Sequence, residues 1–389
     1  MPRILLALMS LLILASPASA AQYRVLHTFN PVTQLPFGVP LVVGSTVYGT
    51  YVEENGGAFF QIGADGNNYE VLHSFGSTAP ANQNGYGPSG ILAFDGSRIY
   101  GTTSSGGASG SGTVFGFDPV SRDYQKLADN TQGSNSLAVL GVALGGSALY
   151  GSTGAFGGTS TIFRVQTDGS AHGTIHTFNA STEGVWPNNV IVSGSTIYGT
   201  LNGFGGVVFA MNTDGSNFRA LHVFADAPTD GAEPSVPALV LDGTTLYGTT
   251  RRGGAANGGT VFKVNVDGTN YEMLHEFALP GNVDGFRPLG VALAGSKLVG
   301  ISQRGVFSLN KDGSEFEVIH LFPNFPPPQF VSVSSSGNTV YGFRNMQGGP
   351  SELFAVTVPE PGSIALAAIA FLIVPIAHAA RNRKRRSNR

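Results

Sequence analysis

Cysteine is absent from the 389 residues. Disulfides and thiolate metal sites are therefore excluded, and packing alone must hold the fold. Charge is scarce too, with Asp, Glu, Lys and Arg making up only 12% of the chain. Few charges among many Val, Ile, Leu, Phe and Tyr argue against disorder, because such a chain buries enough apolar surface to offset its ordering entropy. The formal net charge of −3 conceals an uneven distribution. Of 21 basic side chains, Arg3 lies near the start and six fall in the last nine residues, leaving 14 against all 24 acids, a net of −10 for the body. A body this acidic is a poor partner for nucleic acid, which is bound by neutralising its phosphates with Lys and Arg. The chain also lacks G-x-S-x-G, H-E-x-x-H and P-loop motifs. Gly85-Tyr86-Gly87-Pro88-Ser89-Gly90 formally matches a dinucleotide fingerprint, but a short strand pattern follows it where that motif needs a helix. Neither a cofactor nor a metal site is expected. No stretch of the body carries a 3.6-residue apolar period, so long helices are not expected there.

The two ends are apolar. Residues 1–20 read as a secretion signal, with Arg3, an apolar run from Ile4 to Ala15, and the small-x-small site Ala18-Ser19-Ala20. An uncleaved membrane anchor is the alternative. Residues 358–389 contain Pro359-Glu360-Pro361, an apolar stretch over 362–380, and a basic cluster with Arg381, Arg383, Lys384, Arg385 and Arg386. Nineteen residues at about 1.5 Å rise cross a bilayer as one transmembrane helix, and the basic end should remain cytoplasmic. This tail resembles the PEP-CTERM sorting signal. The resemblance implies an exosortase-type processing enzyme as partner, export to the cell envelope or exterior, and transient anchoring in the inner membrane. A plain single-pass tail is the alternative.

Between the ends, glycine is abundant at 55 residues, and it punctuates a repeat. Tyr-Gly recurs at Tyr48-Gly49, Tyr100-Gly101, Tyr150-Gly151, Tyr198-Gly199, Tyr247-Gly248 and Tyr341-Gly342, and Val299-Gly300 fills the same place once. The gaps of 52, 50, 48, 49, 52 and 42 residues define units the size of a four-stranded propeller blade. Asp-Gly turns at Asp65, Asp168, Asp214, Asp267 and Asp312 separate the third and fourth strand patterns, and both turn residues accept positive φ. The last unit stops one strand short. Tyr23-Arg24-Val25-Leu26-His27-Thr28-Phe29 matches Tyr69–Phe75 at five of seven positions and supplies the missing piece. The expected fold is all-β: a seven-bladed propeller over 22–357, closed by its N-terminal strand so that no sheet edge is left exposed. An open solenoid is the alternative. The units resemble GloVer tandem repeats through Tyr247-Gly248-Thr249-Thr250, Gly253-Gly254, Gly259-Thr260-Val261-Phe262-Lys263, Asp267-Gly268-Thr269 and Leu274-His275-Glu276-Phe277. That resemblance implies a propeller-like fold and a surface location, and brings no catalytic motif.

Two repeated features are candidates for chemistry. His27, His73, His176, His222, His275 and His320 share one repeat position. On successive blades they stand too far apart to share a metal, whose ligands must all lie about 2 Å from one ion, so a structural role between neighbouring strands is expected. The second feature is a loop between units, of the form acid or amide-Gly-x-x-Pro, at 84–88, 183–187, 230–234 and 284–288. Its aromatic members Tyr86, Trp186 and Phe286 could stack on sugar rings, with Glu183, Asp230, Glu233 and Asp284 accepting hydroxyls. Turn geometry alone is the competing explanation. Glu53-Glu54 and Arg251-Arg252 read as solvated turns. Two functions remain open at this point. One is a non-enzymatic surface or matrix module that binds exopolysaccharide or other surface glycan. The other is a glycan lyase or hydrolase, which needs two converging carboxylates.

Overall fold

The structure is a computed structural model that describes residues 21–54, 56–76, 83–130, 136–137, 141–155, 159–203, 205–278, 285–322, 331–345 and 349–358. The expected signal segment 1–20, the Pro359-Glu360-Pro361 tail with its span and basic cluster, and Asp284 lie outside these residues. Among the described residues there is no helix, and so none long and apolar enough to cross a membrane.

The described part of the body is all β, arranged in six sheets of which three are four-stranded, two five-stranded and one eight-stranded. Two of the four-stranded sheets are consecutive in sequence. Gly231–Asp242, Thr245–Gly253, Thr260–Asn265 and Glu272–Glu276 form one such sheet in sequence order. One sheet has eight strands, because Leu35–Val43 and Tyr86–Phe94 join two units through the parallel bridge Val39↔Ile91. First strands of successive units thus run parallel beside one another, and Leu35–Val43 also lies against Val331–Ser336 of the last unit. The N-terminal strand Gln22–Thr28 pairs antiparallel with Glu352–Thr357, in a register running from Gln22↔Thr357 to Thr28↔Glu352.

The Tyr-Gly repeat has a packing cause. In every unit the glycine stands across from a third-strand phenylalanine, as in Gly49↔Phe60, Gly101↔Phe115, Gly151↔Phe163, Gly199↔Phe209, Gly248↔Phe262, Gly300↔Phe307 and Gly342↔Phe354. A Cβ on Gly151 would lie 2.4 Å from the Phe163 ring, so the ring occupies the space a side chain would need. This explains why Gly300 is kept where the tyrosine is not. The Asp-Gly turns differ from expectation. Only the glycine takes positive φ (87° at Gly66), and so does the residue two further on (58° at Asn68). Asp65 instead uses its carboxylate to accept the Asn67 N–H at 3.0 Å, an interaction that spares the aspartate the left-handed conformation.

The histidine position is a joint between units. Each fourth strand bulges against the third just before its histidine, as between Phe59 and Phe60, which pair with His73 and Val71. A bulge re-aims the side chain that follows it, and the imidazole lands flat on an aromatic ring of the next unit. His73 stacks on Tyr124 at 3.9 Å, His222 on Tyr271 at 3.4 Å, and His275 on Phe316 at 3.5 Å. His27 meets Tyr69 at 3.9 Å and His176 meets Phe218 at 5.5 Å. His320 meets Tyr23 at 3.8 Å, so the N-terminal strand docks through the same joint that links consecutive units. The exception is the unit whose fourth strand is Tyr124–Asp129. There Ala128 replaces the histidine and His172 replaces the facing ring. Burial lowers the pKa of His27, His73, His172 and His320 below the usual 6.5.

Candidate functional site

The site grows from the four Gly-x-x-Pro segments, which run into strands such as Tyr86–Phe94, Val185–Pro187 and Gly231–Asp242. In each, the residue just before proline adopts a left-handed backbone: Gly87 at φ 63°, Trp186 at 55°, Glu233 at 55° and Arg287 at 48°. Glycine takes this conformation freely. For the other three it costs about 1–3 kcal/mol each. All three strained side chains line one cavity of about 1030 Å³. Arg251, Arg252, Asp226, Asn189, Asn202 and Gln303 complete its polar wall, and Phe37, Gly38, Gly90, Ile91 and Phe343 form much of the rest.

Trp186 is the single tryptophan of the chain and is 41% exposed. Glu233 forms an ion pair with Arg252 at 3.2 Å. Asn188 fixes the wall from behind, its amide donating to Thr200 at 2.9 Å and to the Pro234 carbonyl at 3.1 Å. Asn202 donates in turn to the Asn188 side-chain Oδ1 at 3.2 Å. Large aromatic surface, carboxylates, amides and guanidiniums thus share one opening. Such a surface can stack on a sugar face while exchanging hydrogen bonds with its hydroxyls.

The remaining candidates are used elsewhere. Tyr86 donates its hydroxyl to the Glu54 carbonyl at 3.2 Å and bends the adjoining turn against its own strand. Glu183 accepts the Asn179 N–H at 2.9 Å and faces His176 Nε2 at 3.1 Å. Asp230 is 6% exposed and accepts from Ala225 N–H at 3.1 Å and Gly231 N–H at 2.6 Å, with His222 Nε2 at 2.8 Å and the Tyr271 hydroxyl beside it. Burial first, and then Asp230, push the Tyr271 hydroxyl well above its usual range. Phe286 is half-buried, and its carbonyl accepts the Gln303 N–H at 3.1 Å. None of these four lines the cavity, whereas Trp186 and Glu233 do. The acid at the loop's first position is thus a turn and joint residue; the pre-proline position faces the opening. Sequence reasoning missed Arg287; it read Arg251-Arg252 as a solvated turn, and both are exposed, but they stand on the strand Thr245–Gly253 and line the cavity. The pre-proline register was the signal that could have found Arg287.

A protein-family model described as the Gloeobacter/Verrucomicrobia repeat matches residues 15–205 and 194–356. The chain belongs to the Gloeobacter/Verrucomicrobia repeat family. No curated protein sequence matches it. Several solved structures share the architecture of this Gloeobacter/Verrucomicrobia repeat protein at low identity. An oligogalacturonate lyase from Vibrio parahaemolyticus superposes with a TM-score of 0.59 and 12% identity over 88% of this chain and 98% of its own. The AfRom2 CNH domain gives 0.55 and 11% identity over 87% and 99%. A puromycin-hydrolyzing peptidase from Mycobacterium tuberculosis gives 0.53 and 12% identity over 87% and 56%. These likenesses establish a β-propeller-like fold for the repeat protein and say nothing of its activity.

Proposed function

We propose that this protein is an exported, non-enzymatic binding module of the cell surface or extracellular matrix that holds a glycan chain in the cavity at Trp186. On this reading the units form seven blades of one propeller, with Gln22–Thr28 completing the last. Residues 1–20 direct export. The tail from Val358 is a PEP-CTERM signal that anchors the chain in the inner membrane until an exosortase-type enzyme processes it. The observation that carries the binding role is the convergence of Trp186, Glu233 and Arg287. Gly87 fills the same position without strain, so a loop of this form closes with no side chain at all. Keeping three costly side chains there, all facing one opening, suits a site selected for what it contacts.

The test is a titration of the producing strain's own exopolysaccharide, followed by calorimetry, with Trp186 fluorescence beside it in the wild type. Binding should shift the emission and be lost in Trp186→Gly, whose thermal stability should equal or slightly exceed that of the wild type because the left-handed strain is relieved. Unaltered binding by Trp186→Gly sinks the assignment of the site. A lyase or hydrolase would use Asp226 and Glu233, the two carboxylates on the cavity wall, and would shorten the polymer during the same incubation. The engagement of Glu233 by Arg252 favours binding over that chemistry.

A further inference from the structure

We infer that the cavity selects saccharides carrying carboxylate or sulfate groups, and that Arg251 and Arg287 are the residues that recognise the anion. This rests on the glycan reading above and narrows it to acidic chains. The body holds 14 basic side chains against 24 acids, yet three of those basic groups, Arg251, Arg252 and Arg287, line this one opening. Two come from the strand Thr245–Gly253 and the third from the pre-proline position of the following unit. Two carboxylates share the wall, and the one on Glu233 is already matched by Arg252 at 3.2 Å. Among the described residues, the guanidiniums of Arg251 and Arg287 have no ion-pair partner, and both residues are exposed.

All three are arginine. A guanidinium offers a planar fork of donors that meets a carboxylate or sulfate with two parallel hydrogen bonds, where an ammonium offers a point charge. Arg287 is held there at a backbone cost that the loop does not require. A costly backbone kept under an exposed arginine suits a side chain retained for what it contacts. Trp186 on the same wall gives the apolar face of a sugar ring a surface to stack on while the arginines hold its acid group. The acidic body repels a polyanion at long range, so recognition must come from these close contacts. Because the arginines are exposed, added salt should weaken it, with screening setting in over about 8 Å at physiological ionic strength.

Three probes with one backbone separate charge from sugar: a β-1,4-mannuronate hexamer, its methyl ester, and the neutral β-1,4-mannan hexamer. Each is titrated into the full chain, with Trp186 fluorescence and calorimetry as readouts. The acidic hexamer should bind at least about tenfold more tightly than the other two, equivalent to about 1.4 kcal/mol. The double variant Arg251→Ala/Arg287→Ala should bind the acidic hexamer no more tightly than its ester or mannan, while keeping its melting temperature. A ligand-free readout runs beside it. Iodide should quench Trp186 more efficiently in the wild type than in the double variant, while neutral acrylamide quenches both alike. Equal affinity for all three hexamers, or a preference that survives the double variant, overturns the charge selection and leaves the glycan reading standing. No binding of any hexamer in either readout overturns both.

Discussion

On one side of the cavity the first strands meet through bare backbone. A Cβ on Gly38 would lie 1.9 Å from the Gly90 carbonyl oxygen, and one on Gly141 would lie 2.2 Å from the Ile91 nitrogen. On the other side the position two residues after the loop proline, occupied by Gly38 and Gly90 in the first two units, is Asn189, then Val236, and glycine again only at Gly290. The parallel bridges Val39↔Ile91 and Ile91↔Gly141 form only where the glycines stand. Where the inner strands are not stitched together in this way, side chains fill the gap, and the polar wall with Trp186, Glu233 and Arg287 belongs to that half. The contrast shows how near-identical units become asymmetric. Removing a side chain at one repeat position lets two units close on each other, and keeping it leaves a recess that can be furnished.

The sharpest way to break this comparison is Gly38→Val. Its φ of +91° and the backbone oxygen in its path leave no place for a side chain, so it should destabilise by about 3 kcal/mol or more in urea denaturation. The matching change across the cavity, Val236→Gly, should cost less than about 1 kcal/mol, since Val236 is 43% exposed. Similar losses at the two sites would mean the walls do not differ as described. A smaller effect tests the joints. Tyr23→Ala removes the stack on His320 at 3.8 Å and the contact with Phe354 at 5.2 Å, and should cost about 1–3 kcal/mol. Tyr23→Phe should restore most of it. The smallest effect is with pH. Histidines whose folded pKa lies below 6.5 bind protons more readily in the unfolded chain. Stability should therefore fall as pH drops below about 6.5 and level off once the folded-state values are passed. A melting temperature that rises between pH 7.5 and 5 contradicts this.

Much of the architecture was legible because it repeats. The Tyr-Gly spacing marks second strands since each glycine must leave room for a phenylalanine across the sheet. The segment Tyr23–Phe29 reads as a displaced fourth strand because it carries the same aromatic and histidine positions. The joints were half legible. An aromatic stands four residues before most of the histidines, as at Tyr69 and His73 or Phe316 and His320, but stacking links one unit's histidine to the next unit's ring, and spacing within a unit does not reveal that. The site was least legible. Trp186, Arg251 and Arg287 are far apart in the chain and meet only where parts of three units line one cavity. The acids drew attention for their charge, yet Asp230 and Glu183 are consumed by N–H groups and histidines in their own loops.

The stack of Tyr23 on His320 makes the place where the chain begins and ends mechanically equivalent to its internal connections. The pair Ala128 and His172 is the one connection without such a clasp. Circular permutants that move the termini to that gap, with the native ends linked, would therefore keep every ring-on-ring fastening the protein has. Ones opened at any other connection would give up a fastening between covalently joined neighbours. Among the described residues, the connection without a clasp thus lies between the second and third units.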